Sequence, residues 1–180
     1  MGQRVPPQPH PSRLTDFAGQ PLVVGVVADQ APIVALTAVS LARATGASAL
    51  YFAHVDTSRY ADVEHPDGSV RHLPIDPDID DAAWPDREAA LTRMVDEWME
   101  GQDVPWHFRY LAGRPDRALT HLARAVDAAA FVVGTRVGRH HRIADFVNGS
   151  VSMQLSHRQH RPVVVVPVTV VDWEGKAPWE

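Results

Sequence analysis

At 180 residues, 45% of them hydrophobic and 22% charged, the chain is long enough to bury a sizeable core in one domain and too apolar to be disordered throughout. It contains no cysteine, which excludes disulfides, thiolate zinc sites and a cysteine nucleophile and is compatible with a cytoplasmic setting. A net charge of −5 argues against non-specific nucleic-acid binding. That charge is uneven: residues 56–103 hold 14 acidic residues and 4 arginines, whereas residues 109–161 hold 9 arginines and 3 aspartates. The basic half suits a small anionic ligand, and it equally suits a solvated surface of mixed helices.

Taken in order, residues 1–20 hold four prolines and few apolar side chains, and read as a disordered tail without the apolar core of a signal peptide. Residues 22–27 (LVVGVV) form a short apolar run, as expected of a strand buried on both faces. Pro32 is placed to open a helix over 33–45, and Gly46 to end it. Residues 49–55 (ALYFAHV) read as a second strand. The stretch 57–85 departs from β/α alternation: Asp67-Gly68 between Val63 and Val70 signals a surface β-hairpin or extended loop, followed by an acidic Pro/Asp stretch over 74–81. A loop this long either lies over a ligand site or decorates the fold.

A helix is expected over 85–100, with Leu91, Met94, Val95 and Trp98 on one face and Gly101 closing it. Residues 105–111 alternate as a strand. Pro115 starts an amphipathic helix carrying Leu119, Leu122 and Val126. A fourth strand (Phe131, Val132, Val133) runs into Gly134, and a polar loop follows with Gly138. Asn148-Gly149-Ser150 opens or interrupts a helix, and a valine strand follows Pro162. Five strands alternating with four helices predict an α/β domain, an open five-stranded parallel sheet with helices on both faces, over 21–171, with residues 172–180 as a C-terminal tail.

The glycine-bearing unit resembles the signature of the universal stress protein family, a pair of glycines followed by Gly-Ser or Gly-Thr. Gly134, Gly138 and Gly149-Ser150 match it in order, with three residues between the first two glycines and ten before the third. Gly113-Arg114-Pro115 matches a second family feature, a Gly-x-Pro that starts the third helix. The resemblance covers roughly residues 21–168. It implies strand order 3-2-1-4-5, a flavodoxin-like or adenine-nucleotide-hydrolase-like arrangement, a role in stress response or signalling, and ATP with Mg as ligand. Carried over from the family, Val133, Gly134 and Arg136 border the ribose and phosphates, Gly149, Ser150, Val151 and Ser152 face the phosphates, and Val55 touches adenine. ATP-binding relatives carry Asp directly after the first strand. Val27 stands at that position here, and Asp29 follows two residues later.

The residues themselves support that chemistry. Glycine permits close backbone approach, and a helix N-terminus offers unpaired N–H groups and partial positive charge. Gly149, Ser150 and Val151 can supply such donors, and Arg136, Arg139 and Arg142 can neutralise phosphate. The alternative is that Gly134 and Gly149 serve only the strand-to-helix turn and close packing. No P-loop or dinucleotide fingerprint is present. His54 and Asp56, His140-His141, and His157 and His160 have no metal-ligand spacing, so no metal site is expected. No catalytic residue is expected either, and any ATP hydrolysis would be slow. The run over 163–171 is β-branched nearly throughout and would form an edge strand. Homodimerisation through it would cover that edge, as family relatives do, or residues 172–180 with Trp173 and Trp179 would fold back over it. The competing reading of function is a dimeric interaction protein of the same fold that binds an unknown protein partner and no nucleotide. Neither reading involves a membrane: the apolar run is far too short to cross one.

Overall fold

A computed structural model describes residues 10–76, 78, 83–135 and 151–168. Five parallel strands form the central sheet: β1 (Leu22–Gly25), β2 (Leu50–Asp56), β5 (Trp106–Ala112), β6 (Ala130–Gly134) and β7 (Val163–Val166), in the order β5-β2-β1-β6-β7. Counting only these strands, that is 3-2-1-4-5, as the resemblance implied. β3 (Arg59–Glu64) and β4 (Val70–Pro74) pair antiparallel as the hairpin inserted after β2.

Strand alternation assigns each face of the sheet to its own pair of helices. Leu22, Val24, Leu50, Phe52, Tyr110 and Val132 face α1 (Ile33–Thr45) and α2 (Trp84–Met99), with Val34, Ala38, Leu91 and Val95 packed against them. Val23, Ala53, Leu111, Phe131 and Val133 face α3 (Pro115–Ala125) and α4 (Val151–Arg158), meeting Leu119, Leu122 and Leu155. Being buried on both sides, β1 and β6 read as continuous apolar runs, whereas edge strand β5 carries His107 and Arg109.

Local chemistry explains the boundaries. Gly46 ends α1 at φ 64°, where its N–H reaches Ala42 and Arg43 carbonyls and the Ala47 N–H bonds Ala42. Prolines stand in the first turns of α2 and α3, where a missing N–H costs nothing. The first strand is shorter than the apolar run suggested. The Val26 N–H still bonds Ala53, but the Val27 N–H turns to the Gln30 side chain, so pairing stops.

The hairpin turn spans His65 to Ser69. Gly68, at φ 79°, donates to the His65 carbonyl, and the Asp67 carboxylate accepts from both the backbone and hydroxyl of Ser69. A Cβ on Gly68 would lie 2.4 Å from Leu122 Cδ1, so the hairpin tip is seated directly on α3. Of the acidic stretch expected over 74–81, residues 77 and 79–81 lie outside the described residues. Residues 17–20, expected in the tail, meet the domain: Phe17 packs on the first core and Gly19 exchanges backbone hydrogen bonds with Thr45 and Ser48.

Candidate functional site

The order of strands reverses direction on either side of β1: the chain moves from β1 to β2 on one side and later returns to β6 on the other. In open α/β sheets the carboxyl ends of strands at such a point flank the ligand crevice. β1, β2 and β6 bring three of the expected residues there. Val55 is half-buried near the end of β2, Val133 is buried near the end of β6, and Val27 is 58% exposed just after β1. Asp29 is exposed in the β1–α1 loop at φ 57°, a left-handed conformation that a short polar residue tolerates. Val151 and Ser152 are half-buried in the first turn of α4. Arg136, Gly138, Gly149 and Ser150 lie outside the described residues, as do Arg139, Arg142 and His140-His141.

Gly134 ends β6. A Cβ there would lie 3.0 Å from side-chain carbons of both Val34 and Val168, so its bareness lets α1 and the chain beyond β7 close on the strand. Gly25 is similar, with Val133 Cγ1 3.1 Å from the position of a Cβ. The two glycines therefore have packing roles that the sequence alone does not distinguish from ligand approach.

Two side chains not expected at the site close the end of β1. The Gln30 carboxamide accepts from the Val27 N–H at 2.9 Å and donates to the Gly25 carbonyl at 3.3 Å. The His54 Nδ1–H donates to the Val26 carbonyl at 3.0 Å. His54 had been weighed with Asp56 as a metal-binding pair. It instead pins β2 to the end of β1, and among the described residues no three His, Asp or Glu side chains gather as a metal cluster. Gln30 carried no motif; only the loop geometry gives it this role.

Beside the crevice, a polar network ties the hairpin to β5 and α2. Asp56 is almost buried and accepts from Ser58 Oγ (2.6 Å), the Ser58 N–H (2.9 Å), Tyr110 Oη (2.6 Å) and Arg87 Nη2 (2.9 Å). Burial alone would raise its pKa. The hydrogen bonds from Ser58, Tyr110 and Arg87 outweigh burial and hold the carboxyl well below the usual carboxylate range. On the hairpin, Arg59 Nε donates to His72 Nδ1 at 2.6 Å. Burial, then the Arg59 charge, lower the His72 pKa against the pull of Asp56, which favours the neutral ring that this acceptor role requires. Trp84 stacks edge-on against His72, with ring centroids 4.6 Å apart. No signal in the sequence joins these residues, because they come from β2, β3, β4, β5 and α2.

Comparison with known proteins decides the family. The model of the universal stress protein family matches residues 20–167. The chain belongs to the universal stress protein family. No curated protein matches this universal stress protein. Among solved structures, a universal stress protein in complex with cAMP superposes with a TM-score of 0.59 at 23% identity, over 84% of this chain and 99% of that one. UspA from Lactobacillus plantarum gives 0.58 at 18% identity, over 83% and 98%. The universal stress protein from Archaeoglobus fulgidus in complex with dAMP gives 0.55 at 20% identity, over 82% and 97%. Those two complexes hold adenine nucleotides; at these identities, likeness to them establishes the shared fold. Among the described residues, no helix of this universal stress protein is long and apolar enough to cross a membrane.

Proposed function

We propose that this universal stress protein binds an adenine nucleotide, ATP with Mg, in a cytoplasmic stress-response or signalling role. The observation that carries this reading is the gathering of Val27, Val55 and Val133 at the adjacent carboxyl ends of β1, β2 and β6. By the family resemblance Val55 would touch the adenine and Val133 would border the ribose and phosphates, and the cAMP and dAMP complexes of related folds support the choice of base. On the sequence pattern, Arg136, Gly138, Gly149, Ser150, Val151 and Ser152 would hold the phosphates. Asp29 is the nearest carboxylate in sequence to the position that Val27 takes from the family's aspartate.

Calorimetric titration with ATP in magnesium, after acid extraction of an aliquot to look for co-purified nucleotide, tests this. We expect micromolar binding, abolished by Gly149→Asp with helical content unchanged. An empty protein that gives no heat up to millimolar ATP would overturn it.

A second reading, an interaction protein of the same fold without nucleotide, is favoured by specific contacts. Val34 and Val168 fill the space beside Gly134, and Gln30 and His54 already satisfy backbone groups at the end of β1. Either reading accommodates a homodimer through the valine strand at 163–171, of which 169–171 lie outside the described residues. β7 is an edge strand with Val165 44% exposed, and pairing with a second copy would cover it. Size-exclusion chromatography with light scattering should return twice the chain mass at micromolar concentration; a monomer there would dismiss the edge-strand dimer.

A further inference from the structure

A groove of about 380 Å³ runs between the hairpin, α3 and α4, within the size range of small-molecule sites. None of its lining residues lies on β1, β2, β6 or the β1–α1 loop, so it is distinct from the crevice described above. One face of α3 forms its floor. Arg117, Thr120, His121 and Arg124 follow the three- and four-residue spacing that brings side chains together on a helix. Glu64 enters from β3 and Arg158 from the end of α4.

The charges within the groove do not cancel. The Asp116 carboxylate is buried and already engaged by Arg114 at 3.1 Å and Arg158 at 3.0 Å. Glu64 is taken by His121 Nδ1 at 3.0 Å. Among the described residues, Arg117 and Arg124 have neither an ion pair nor a hydrogen-bonded side chain, which leaves two guanidinium groups facing a shared space. Arg124 also bears on Arg161: burial, opposed by Asp127 and aided by Arg124, pulls the Arg161 guanidinium below its ordinary pKa.

The other ring nitrogen of His121, Nε2, is buried and has no hydrogen-bond partner among the described residues. That nitrogen is closed to solvent, so His121 borders the groove without offering Nε2 to a ligand.

We propose that this groove binds a phosphoryl group, as free phosphate or a small phosphate monoester, between Arg117 and Arg124. The guanidinium fork matches phosphate oxygens in pairs, and two such forks balance a dianion. Glu64 orients the imidazole, and the Asp116 clamp fixes Arg158 at the groove's far side. The hairpin insertion is thus a wall of the binding site.

The test titrates the full chain at constant ionic strength with inorganic phosphate and, separately, with O-phosphoserine. The arginine Nε–Hε resonances are followed by NMR, with exposed Arg93 as the remote control. Arg117 and Arg124 should shift with one common saturation midpoint while Arg93 stays still. Arg117→Gln or Arg124→Gln should weaken binding about tenfold, the scale of one charge-assisted hydrogen bond, and Arg124→Lys should recover part of that loss. Tighter binding of phosphoserine assigns the groove to monoesters, and tighter binding of inorganic phosphate assigns it to the free ion. Linear shifts shared by Arg93 would reveal general screening and overturn the proposal, as would saturation at an unchanged midpoint in both glutamine variants. These exposed helix-surface replacements should leave the circular dichroism spectrum intact, and ATP affinity at the sheet crevice should not change with them.

Discussion

Replacing Phe131 with alanine should lower the unfolding free energy by about 3–5 kcal/mol, the usual range for removing a buried phenyl ring. Phe131 is fully buried at the second position of β6, the strand between β1 and β7. Its ring occupies the second core with Val23, Leu119, Leu122 and Leu155, and so joins the sheet to both α3 and α4. Truncation removes apolar area and leaves a cavity that four elements border; the two strands among them are held by the sheet ladder, so the site cannot fully collapse inward. With domain stabilities of about 5–15 kcal/mol, such a loss leaves a marginal fold. Urea denaturation of the wild type and the variant measures the difference. Phe131→Leu, which keeps most of the volume, should cost about 1.5 kcal/mol or less. A loss below about 1 kcal/mol for the alanine variant would mean that the α3–α4 layer is not closed around this ring.

Asp56→Ala should cost about 2–3 kcal/mol near neutral pH, because it leaves the Tyr110 hydroxyl proton without its acceptor and removes the carboxylate bound by Arg87. The figure is kept below that of a fully buried ion pair because the Arg87 side chain is 44% exposed and water screens it. The pH dependence has a definite sign. The folded-state pKa of Asp56 is depressed, so the folded protein holds fewer protons here than the unfolded chain in the acid range. Its contribution is fully present above the unfolded carboxylate pKa of about 3.9 and is lost as pH falls below it. Denaturation of wild type and Asp56→Asn at pH 7 and pH 3 should therefore show a gap that narrows in acid. A gap of equal size at both pH values would remove Asp56 from the acid response.

Much of the domain was legible in the sequence because its signals are local. Apolar runs at 22–27, 49–55 and 163–166 mark strands, the first of them buried on both faces. Gly46, Gly101, Pro85 and Pro115 act within one turn of chain, and they bound helices where expected. Asp67-Gly68 marked the hairpin turn for the same reason. The family signature on Gly134, Gly138 and Gly149-Ser150 named the fold and the order of strands, which β/α alternation could not, since alternation leaves the placement of each crossover open.

The rest required distant residues to meet. The sequence alone determined an α/β chain with five parallel strands, an insertion after the second, and a family membership. Tertiary structure decided that Gly134 is bare because Val34 and Val168 close on it, and that Gln30 and His54 satisfy the end of β1. It also decided that Asp56 is held ionised by Ser58, Tyr110 and Arg87. It set Glu64 of the hairpin against His121 of α3, 57 positions apart, and so walled the arginine groove. Backbone preference and periodicity act over a few residues and can be read in order along a chain. Hydrogen bonding, desolvation and charge pairing act through space, and their partners are fixed only once the sheet has brought them together.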